Sequence, residues 1–291
     1  MYNSILELYE DIGTVMRVQS LEWNTALRCP LCGAALERAE NSLACGGARR
    51  HNFDIAKSGY VNFNTHLPTS GDDKAMAAAR QAFLRRGYYA PLAEAIAAEA
   101  GSGTLLADAG CGEGYYTEIA ARGFAHALGA DLSKYALALA AKSAKQQGLA
   151  DKLLYTAASV YDLPLADGVC DCVMNVFAPC VEKEYARVLQ SGGKLIVAAA
   201  GRDHLYGLKE KLYDTVIPNE PRRDYPTELH LEKTLSVQYD VTVAHEDIAP
   251  LFMMTPYYYR TSKERAERLY ALDALKTVLD FEVRVYRKEE E

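Results

Sequence analysis

The sequence predicts a doubly wound α/β domain with late antiparallel strands, preceded by a small cysteine-bearing module. Two observations carry this. From Thr104 onward, short apolar runs alternate with segments of helical periodicity, the order that builds a parallel sheet covered on both faces. Before that point, residues 28–66 hold three cysteines, little helical periodicity, and Gly46, Gly47 and Gly59 as turn signals.

Taken in order, residues 1–27 place Ile5, Leu6, Tyr9, Ile12 and Met16 on one helical face among acidic residues, which predicts a short helical extension. No basic start leads into an apolar core there, so no signal peptide is read. Residues 28–66 form the cysteine module. Residues 67–100 form a linker with two Ala-rich helices, interrupted at Gly87 and again before Pro91. The main domain spans 101–291. Its first strand, Thr104–Ala109, ends in a glycine-rich turn, and Tyr115–Arg122 is helical. A second strand, Ala125–Ala130, is closed by Asp131, and Ser133 caps a helix that runs to Gln147 and stops at Gly148. Strands Leu153–Ala157 and Val169–Phe177, a helix Glu182–Gln190, a turn at Gly192–Gly193 and a strand Lys194–Ala200 follow. Thr234–Thr242 and Phe281–Tyr286 alternate as late strands.

The chain has 291 residues, 49% apolar and 24% charged, values that exclude disorder, coiled coil and collagen as overall descriptions. No apolar run reaches the ~18 residues of a membrane span, so the expectation is a cytoplasmic protein with no membrane partner. Seven cysteines, an odd number in a chain too long to need disulfide staples, point to a reducing compartment and to metal or catalytic use.

Cys29 and Cys32 form a CxxC knuckle, Cys45 follows after twelve residues, and His51 comes shortly afterwards. Four such ligands suit tetrahedral zinc, and a module of about 40 residues gains from a metal because its own core is small. A redox CxxC is disfavoured because no βαβ strand precedes it. Cys170 and Cys172 share one face of a core strand, and Cys111 lies inside the glycine turn.

That turn reads Asp108-Ala-Gly110-Cys-Gly112-Glu113-Gly114. Its third glycine comes one residue too early for the phosphate-cradling GxGxxG pattern, so the turn suits a ligand without a pyrophosphate. Asp131, 21 residues after Gly110, can accept hydrogen bonds from both hydroxyls of a ribose. Turn, acid and strand order together resemble the class I S-adenosylmethionine-dependent methyltransferases, which have a Rossmann-like fold. The resemblance implies that Asp108, Gly110, Gly112, Glu113 and Gly114 face the methionine part and that Asp131 holds the ribose. Tyr115 and Tyr116 either close over the methionine part or pack the helix. Near the end of the third strand, Ala158 stands where an adenine-reading acid is expected in that superfamily, and the Ser159 hydroxyl or backbone groups would substitute.

With a zinc knuckle in front, the sequence is similar to the 23S rRNA guanine-N1 methyltransferases, which include members associated with macrolide resistance. The likeness rests on Cys29-Pro-Leu-Cys32, on His51-Asn-Phe-Asp54-Ile-Ala-Lys57-Ser-Gly59-Tyr60-Val-Asn62 and on the glycine turn. It continues through Phe177-Ala-Pro-Cys180, His204-Leu-Tyr-Gly-Leu-Lys209, Met254-Thr-Pro256 and Arg260. Two departures stand out: a longer gap between Cys45 and His51, filled by Arg49–Arg50, and a first 27 residues with no counterpart. The resemblance implies zinc and S-adenosylmethionine as cofactors, a hairpin of 23S rRNA as the RNA partner, a homodimer, and methyl transfer to N1 of a guanine that leaves its stack. Phe177-Ala-Pro179-Cys180 sits where amino methyltransferases place a base-holding turn. Phe177 and Pro179 are therefore candidates for packing on guanine, and Cys180 is either a wall of that site or the start of the next helix. His204 and Glu113 are candidate proton acceptors. Tyr257, Tyr258 and Tyr259 either stack on bases or pack internally.

A net charge of −7 argues, taken alone, against RNA. Its distribution argues the other way: residues 28–90 carry nine basic and five acidic residues, +4, which leaves −11 for the rest. Phosphate contacts need local positive charge, and Arg49–Arg50 and Arg85–Arg86 are the candidates. Two competing readings share the same motifs. A small-molecule methyltransferase with a zinc lid would keep its activity without residues 28–66, and a non-catalytic rRNA-binding protein would not bind the cofactor.

Overall fold

The structure, a computed structural model, describes residues 23–64, 71–220 and 228–290. The expected helix over residues 1–27 lies outside them, apart from its last turn, α1 (Trp23–Ala26). The cysteine module is a three-stranded antiparallel sheet of β1 (Leu36–Ala39), β2 (Ser42–Cys45) and β3 (Asn52–Asp54). It leads into β4 (Val61–Asn62), and helices α2 (Lys74–Arg85) and α3 (Ala90–Ala100) follow. The main domain then runs β5 (Gly103–Ala109), α4 (Tyr115–Ala120), β6 (Phe124–Asp131), α5 (Lys134–Gln146), β7 (Leu153–Ala157), β8 (Cys170–Val176), α6 (Glu182–Val188) and β9 (Leu189–Ala200). It ends with α7 (Tyr206–Leu212), β10 (His230–Ala244), α8 (His245–Met253), α9 (Lys263–Tyr270) and β11 (Ala274–Arg287). No helix among the described residues is long and apolar enough to cross a membrane.

Eight strands form one sheet in the order β10-β11-β9-β8-β5-β6-β7-β4. All pairs from β9 to β4 are parallel, and β11 is the reversed strand, antiparallel to both β9 and β10. The α/β order read from the sequence is therefore present, and β7 has the boundaries expected. Ser133 caps α5 by accepting a hydrogen bond from the Ala136 amide at 3.2 Å. The glycine pair at 192–193 differs from expectation. It sits inside a longer β9, where the pairing jumps from Cys170–Leu189 to Cys172–Lys194. The two glycines thus form a bulge in a continuous strand.

Alternate residues of the central strands feed two cores, as the period of two requires. Leu106, Ala127, Met174 and Ile196 pack on the face covered by α3, α4 and α5, while Leu105, Leu128, Val173 and Leu195 pack on the other. That second face lacks one expected cover. Between β7 and β8 the chain crosses the sheet through residues 158–169 without a helix. The cysteine module fills the gap, and its Leu27, Leu36, Leu43, Phe53 and Phe63 share one core with Leu105, Leu163 and Leu165. Backbone hydrogen bonds fasten it there: the Arg28 amide donates to Pro164 at 3.1 Å and the Ala166 amide to Ala26 at 2.8 Å. The crossing loop is in turn held by α6. Glu184 accepts from the Leu163 amide at 2.6 Å, and the Arg187 guanidinium donates to the carbonyls of Leu163 and Leu165. These bonds satisfy backbone groups that a helix would otherwise satisfy internally.

Phe53 of the module meets Phe63 edge-on, with ring centroids 4.9 Å apart, and the Phe63 amide donates to Ala157 at the end of β7. Phe53→Ala should therefore destabilise the whole chain by about 3–5 kcal/mol, read as a lower urea midpoint. An unchanged midpoint would mean that the module contributes nothing to covering the sheet.

Candidate functional site

The module brings four side chains to one point. The ligand atoms of Cys29, Cys32, Cys45 and His51 all lie within 4.8 Å of one another. The sulfurs of Cys32 and Cys45 are 3.8 Å apart, and His51 Nδ1 is 3.4 Å from the sulfurs of both Cys29 and Cys45. A tetrahedral zinc with bonds of ~2.3 Å to sulfur and ~2.0 Å to nitrogen separates its ligands by about 3.8 Å and 3.5 Å. The cluster thus has the dimensions of a zinc site before any ion is added. The His51 amide donates to the Cys45 sulfur at 3.2 Å, and hydrogen bonding of this kind pulls the Cys45 thiol down to about 6, which favours the thiolate that a metal needs. His51, reached across the long Arg49–Arg50 gap, belongs to this cluster.

The second site lies where the first βα turn meets the loop after β8. A cavity of about 650 Å³ opens between Gly110, Gly112 and Glu113 on one side and Phe177, Ala178, Ala200 and His204 on the other. Asp131 shapes the turn: its carboxylate accepts from the amides of Gly112 at 3.0 Å and Ser133 at 2.7 Å. Gly110 has φ +91°, and a Cβ there would stand 2.4 Å from that of Ala178. This glycine therefore lets the two loops that border the cavity approach each other. Gly114 is needed for a different reason. It faces away from the cavity, and a Cβ there would stand 2.2 Å from the Tyr155 hydroxyl.

Charge is arranged around this turn with missing partners. Asp108 accepts from the Thr117 hydroxyl at 2.6 Å through one oxygen, and its other oxygen is buried without a partner. One carboxylate oxygen of Glu113 is likewise buried and unpartnered. Burial pushes both acids up to about 7, because an unpaired carboxylate is poorly stabilised away from water. Burial also raises Asp131. Arg80 lines the cavity beside them, gripped by both oxygens of Asp72 at 2.7 and 3.1 Å. Glu113 and Arg80 line the cavity, whereas Asp108 and Asp131 are not among its lining residues. Acids and a guanidinium gathered at one turn fit the chemistry of S-adenosylmethionine, a ligand with cationic sulfonium and ammonium groups and a carboxylate.

The far wall is aromatic. Phe177, 41% exposed, sits at φ +54° and stacks near-parallel to His204 with centroids 6.3 Å apart. Leu205, next to His204, is at φ +59°. Two of the three described non-glycine residues with positive φ thus line this cavity, and strain of that kind clusters at functional sites. His204 is 7% exposed, and burial beside Lys209 lowers it to about 3. Its ring stays neutral in ordinary buffers and is a poor proton acceptor, so the environment argues against the general-base role considered for it. Pro179 and Cys180 lie beyond the lining. The Pro179 carbonyl accepts from Asn175 at 2.9 Å and from the Tyr185 hydroxyl at 3.0 Å, which fixes the loop that presents Phe177.

Among the remaining expected residues, Tyr116 lines the cavity, whereas Tyr115 packs against it under the Arg85 guanidinium. Ser159 lies outside the cavity and accepts from the Tyr161 amide at 3.2 Å. Tyr257 lines the cavity, Tyr258 packs on Phe252, and Tyr259 is exposed. Sequence reasoning missed Tyr89, Arg80 and Asn219, all of them lining residues. Their only sequence signal is placement near Gly87 and Pro91 for the first, and none for the others. Arg85 and Arg86, expected to meet phosphate, instead tie α2 to its neighbours: Arg85 pairs with Glu118 at 2.6 Å and Arg86 with Asp247 at 3.0 Å.

Cys32→Ser should release most of the bound zinc, measured by metal analysis, and should lower the unfolding temperature of the entire chain. Full retention of zinc would count against the four-ligand site.

Two family models match the chain. Residues 107–197 match the methyltransferase domain family, and residues 27–68 match the zinc-ribbon family described as RlmA, N-terminal. The chain is 38% identical over 197 residues to the 23S rRNA (guanine(748)-N(1))-methyltransferase of Streptomyces fradiae, spanning 64% of this chain and 67% of that protein. It is 30% identical over 284 residues to a Bacillus subtilis protein named "Putative 23S rRNA (guanine-N(1)-)-methyltransferase YxjB", spanning 90% of this chain and 96% of the other. With both the zinc ribbon and the methyltransferase domain matched, the chain belongs to the family of 23S rRNA guanine-N1 methyltransferases.

Proposed function

We propose that this chain transfers the methyl group of S-adenosylmethionine to N1 of a guanine in a hairpin of 23S rRNA. The observation that carries this reading is the two-ended cavity. Its charged end matches the cofactor, and its aromatic end, with Phe177 at the mouth, offers a flat face to a base taken out of its stack. The cofactor supplies an electrophilic methyl on sulfonium. The chain supplies the rest: Asp131 and the glycine turn orient the ribose and methionine parts, Arg80 holds the carboxylate, and Phe177 sets the plane of the base. Exposed Arg38, Arg49, Arg50 and Lys57 make the zinc module the surface for phosphate. The test is methyl transfer from labelled cofactor to unmodified 23S rRNA, with mapping of the modified atom. Label on any atom other than guanine N1, or none in RNA, would overturn the reading.

Two outcomes follow for the cofactor end. Asp131→Ala should weaken cofactor affinity about 10- to 100-fold, the equivalent of ~1.5–3 kcal/mol for hydrogen bonds to a charged group, as measured by titration calorimetry. The second concerns pH. Asp108 and Glu113 sit near 7, above the ordinary values of 3.8 and 4.5. A cation bound beside them favours their ionised form and lowers both. Cofactor binding should therefore release protons and tighten as pH rises through 7, and calorimetry in buffers of different ionisation enthalpy would show it. Binding with no proton release would place the cationic groups elsewhere.

A further inference from the structure

We infer that the Tyr89 hydroxyl is the hydrogen-bond donor that meets O6 of the target guanine, and that His204 is the positioning residue that turns it there. This deepens the proposed guanine-N1 chemistry and rests on it. Tyr89 precedes α3 and His204 precedes α7, yet both line the cavity and their polar atoms, Tyr89 Oη and His204 Nε2, are 3.2 Å apart.

The direction of that bond follows from a third group. The backbone amide of Asp280 is 3.3 Å from His204 Nδ1. An amide N–H can only donate, so Nδ1 presents its lone pair, and a neutral imidazole then carries its proton on Nε2. Nε2–H donates to the Tyr89 oxygen. The proton of the Tyr89 hydroxyl is thereby left without an acceptor among the described residues, on a side chain that lines the cavity. Edge-on contacts of the Tyr89 ring with Phe83 at 5.5 Å and Phe281 at 4.9 Å fix where that hydroxyl stands. Lys209 of α7, Arg80 of α2, the backbone of Asp280 in β11 and the hydroxyls of Tyr239 and Tyr257 surround the pair. Burial keeps Tyr89 protonated well above its usual range, so it serves as a donor and not as a base.

Guanine needs such a donor. N1 forms its bond to the methyl carbon with its own electron pair, the carbon–sulfur pair stays on sulfur, and the N1 proton passes to water at the open mouth of the cavity. As N1 loses that proton, negative charge spreads to O6, and a fixed hydroxyl there stabilises it in the manner of an oxyanion hole. The same donor rejects adenine, which places an amino group where guanine has O6 and would oppose donor to donor.

The test uses the full zinc-loaded chain and 23S rRNA in single-turnover assays across pH. Tyr89→Phe should slow methylation ~100-fold near neutrality, with cofactor and rRNA affinities unchanged. The deficit should narrow as pH rises, because the base then ionises without help. His204→Leu should match it, and His204→Gln, which can still donate to Tyr89, should recover most of the rate. In the free protein, nitrogen NMR of His204 should show the proton on Nε2. A Tyr89→Phe rate equal to wild type, a deficit independent of pH, or a proton on Nδ1 would overturn the inference. Failure of the wild-type chain to methylate guanine N1 would instead overturn the proposed function, and the NMR result would still decide the direction of the bond.

Discussion

A sheet with both faces buried must have both faces covered, and here one cover is held together by side chains and not by a helix. The crossing from β7 to β8 leaves an opening over Leu105 and Leu128, and the module closes it with Leu27, Leu36, Phe53 and Phe63. Three short strands cannot hold that shape on their own apolar surface. The cluster of Cys29, Cys32, Cys45 and His51 therefore bears on more than the module that holds it. It shapes the module, the module completes the core, and the core fixes the strand ends on which the glycine turn and the Phe177 loop are mounted.

Around the cavity, function is visible as a set of local costs. Asp108 and Glu113 are buried with oxygens left unpartnered, and Phe177 and Leu205 hold backbone conformations that side chains avoid. Folding alone offers no return for these choices. They concentrate around one cavity, with the unpartnered acids at its glycine turn and the strained backbone at its aromatic wall. Arg80, paired with Asp72, places a guanidinium in the same lining as Glu113.

Much of this was legible in the sequence because the signals are local. Ser133 capping α5, the apolar run Leu153–Ala157 and the glycine turn with Asp131 each act over a few residues or within one βα unit. The cysteine spacing likewise gave the metal ligands. What escaped depends on partners far along the chain. Arg85 and Arg86 look like a phosphate patch until Glu118 and Asp247 are seen to hold them. Tyr89 looks like a residue in a helix break until His204, 115 positions later, meets its hydroxyl. Gly192–Gly193 looks like a turn because nothing nearby reveals that Cys170 and Cys172 pair on either side of the bulge. The helices α7 to α9 are only seven to nine residues long, and tertiary packing decides helices that short.

The two residues of β4 carry a last consequence. Val61 and Asn62 pair in parallel with Thr156 and Ala157 and so form the outermost strand of the main sheet. The zinc ribbon is thus woven into its neighbour and is not a bead joined by a string. In evolutionary terms the seam is hidden: a recombination event that exchanged the ribbon as a discrete cassette would strip the sheet of its edge and bare the backbone of β7, an invitation to aggregation. Ribbon and methyltransferase share one sheet, so neither has a clean boundary against the other.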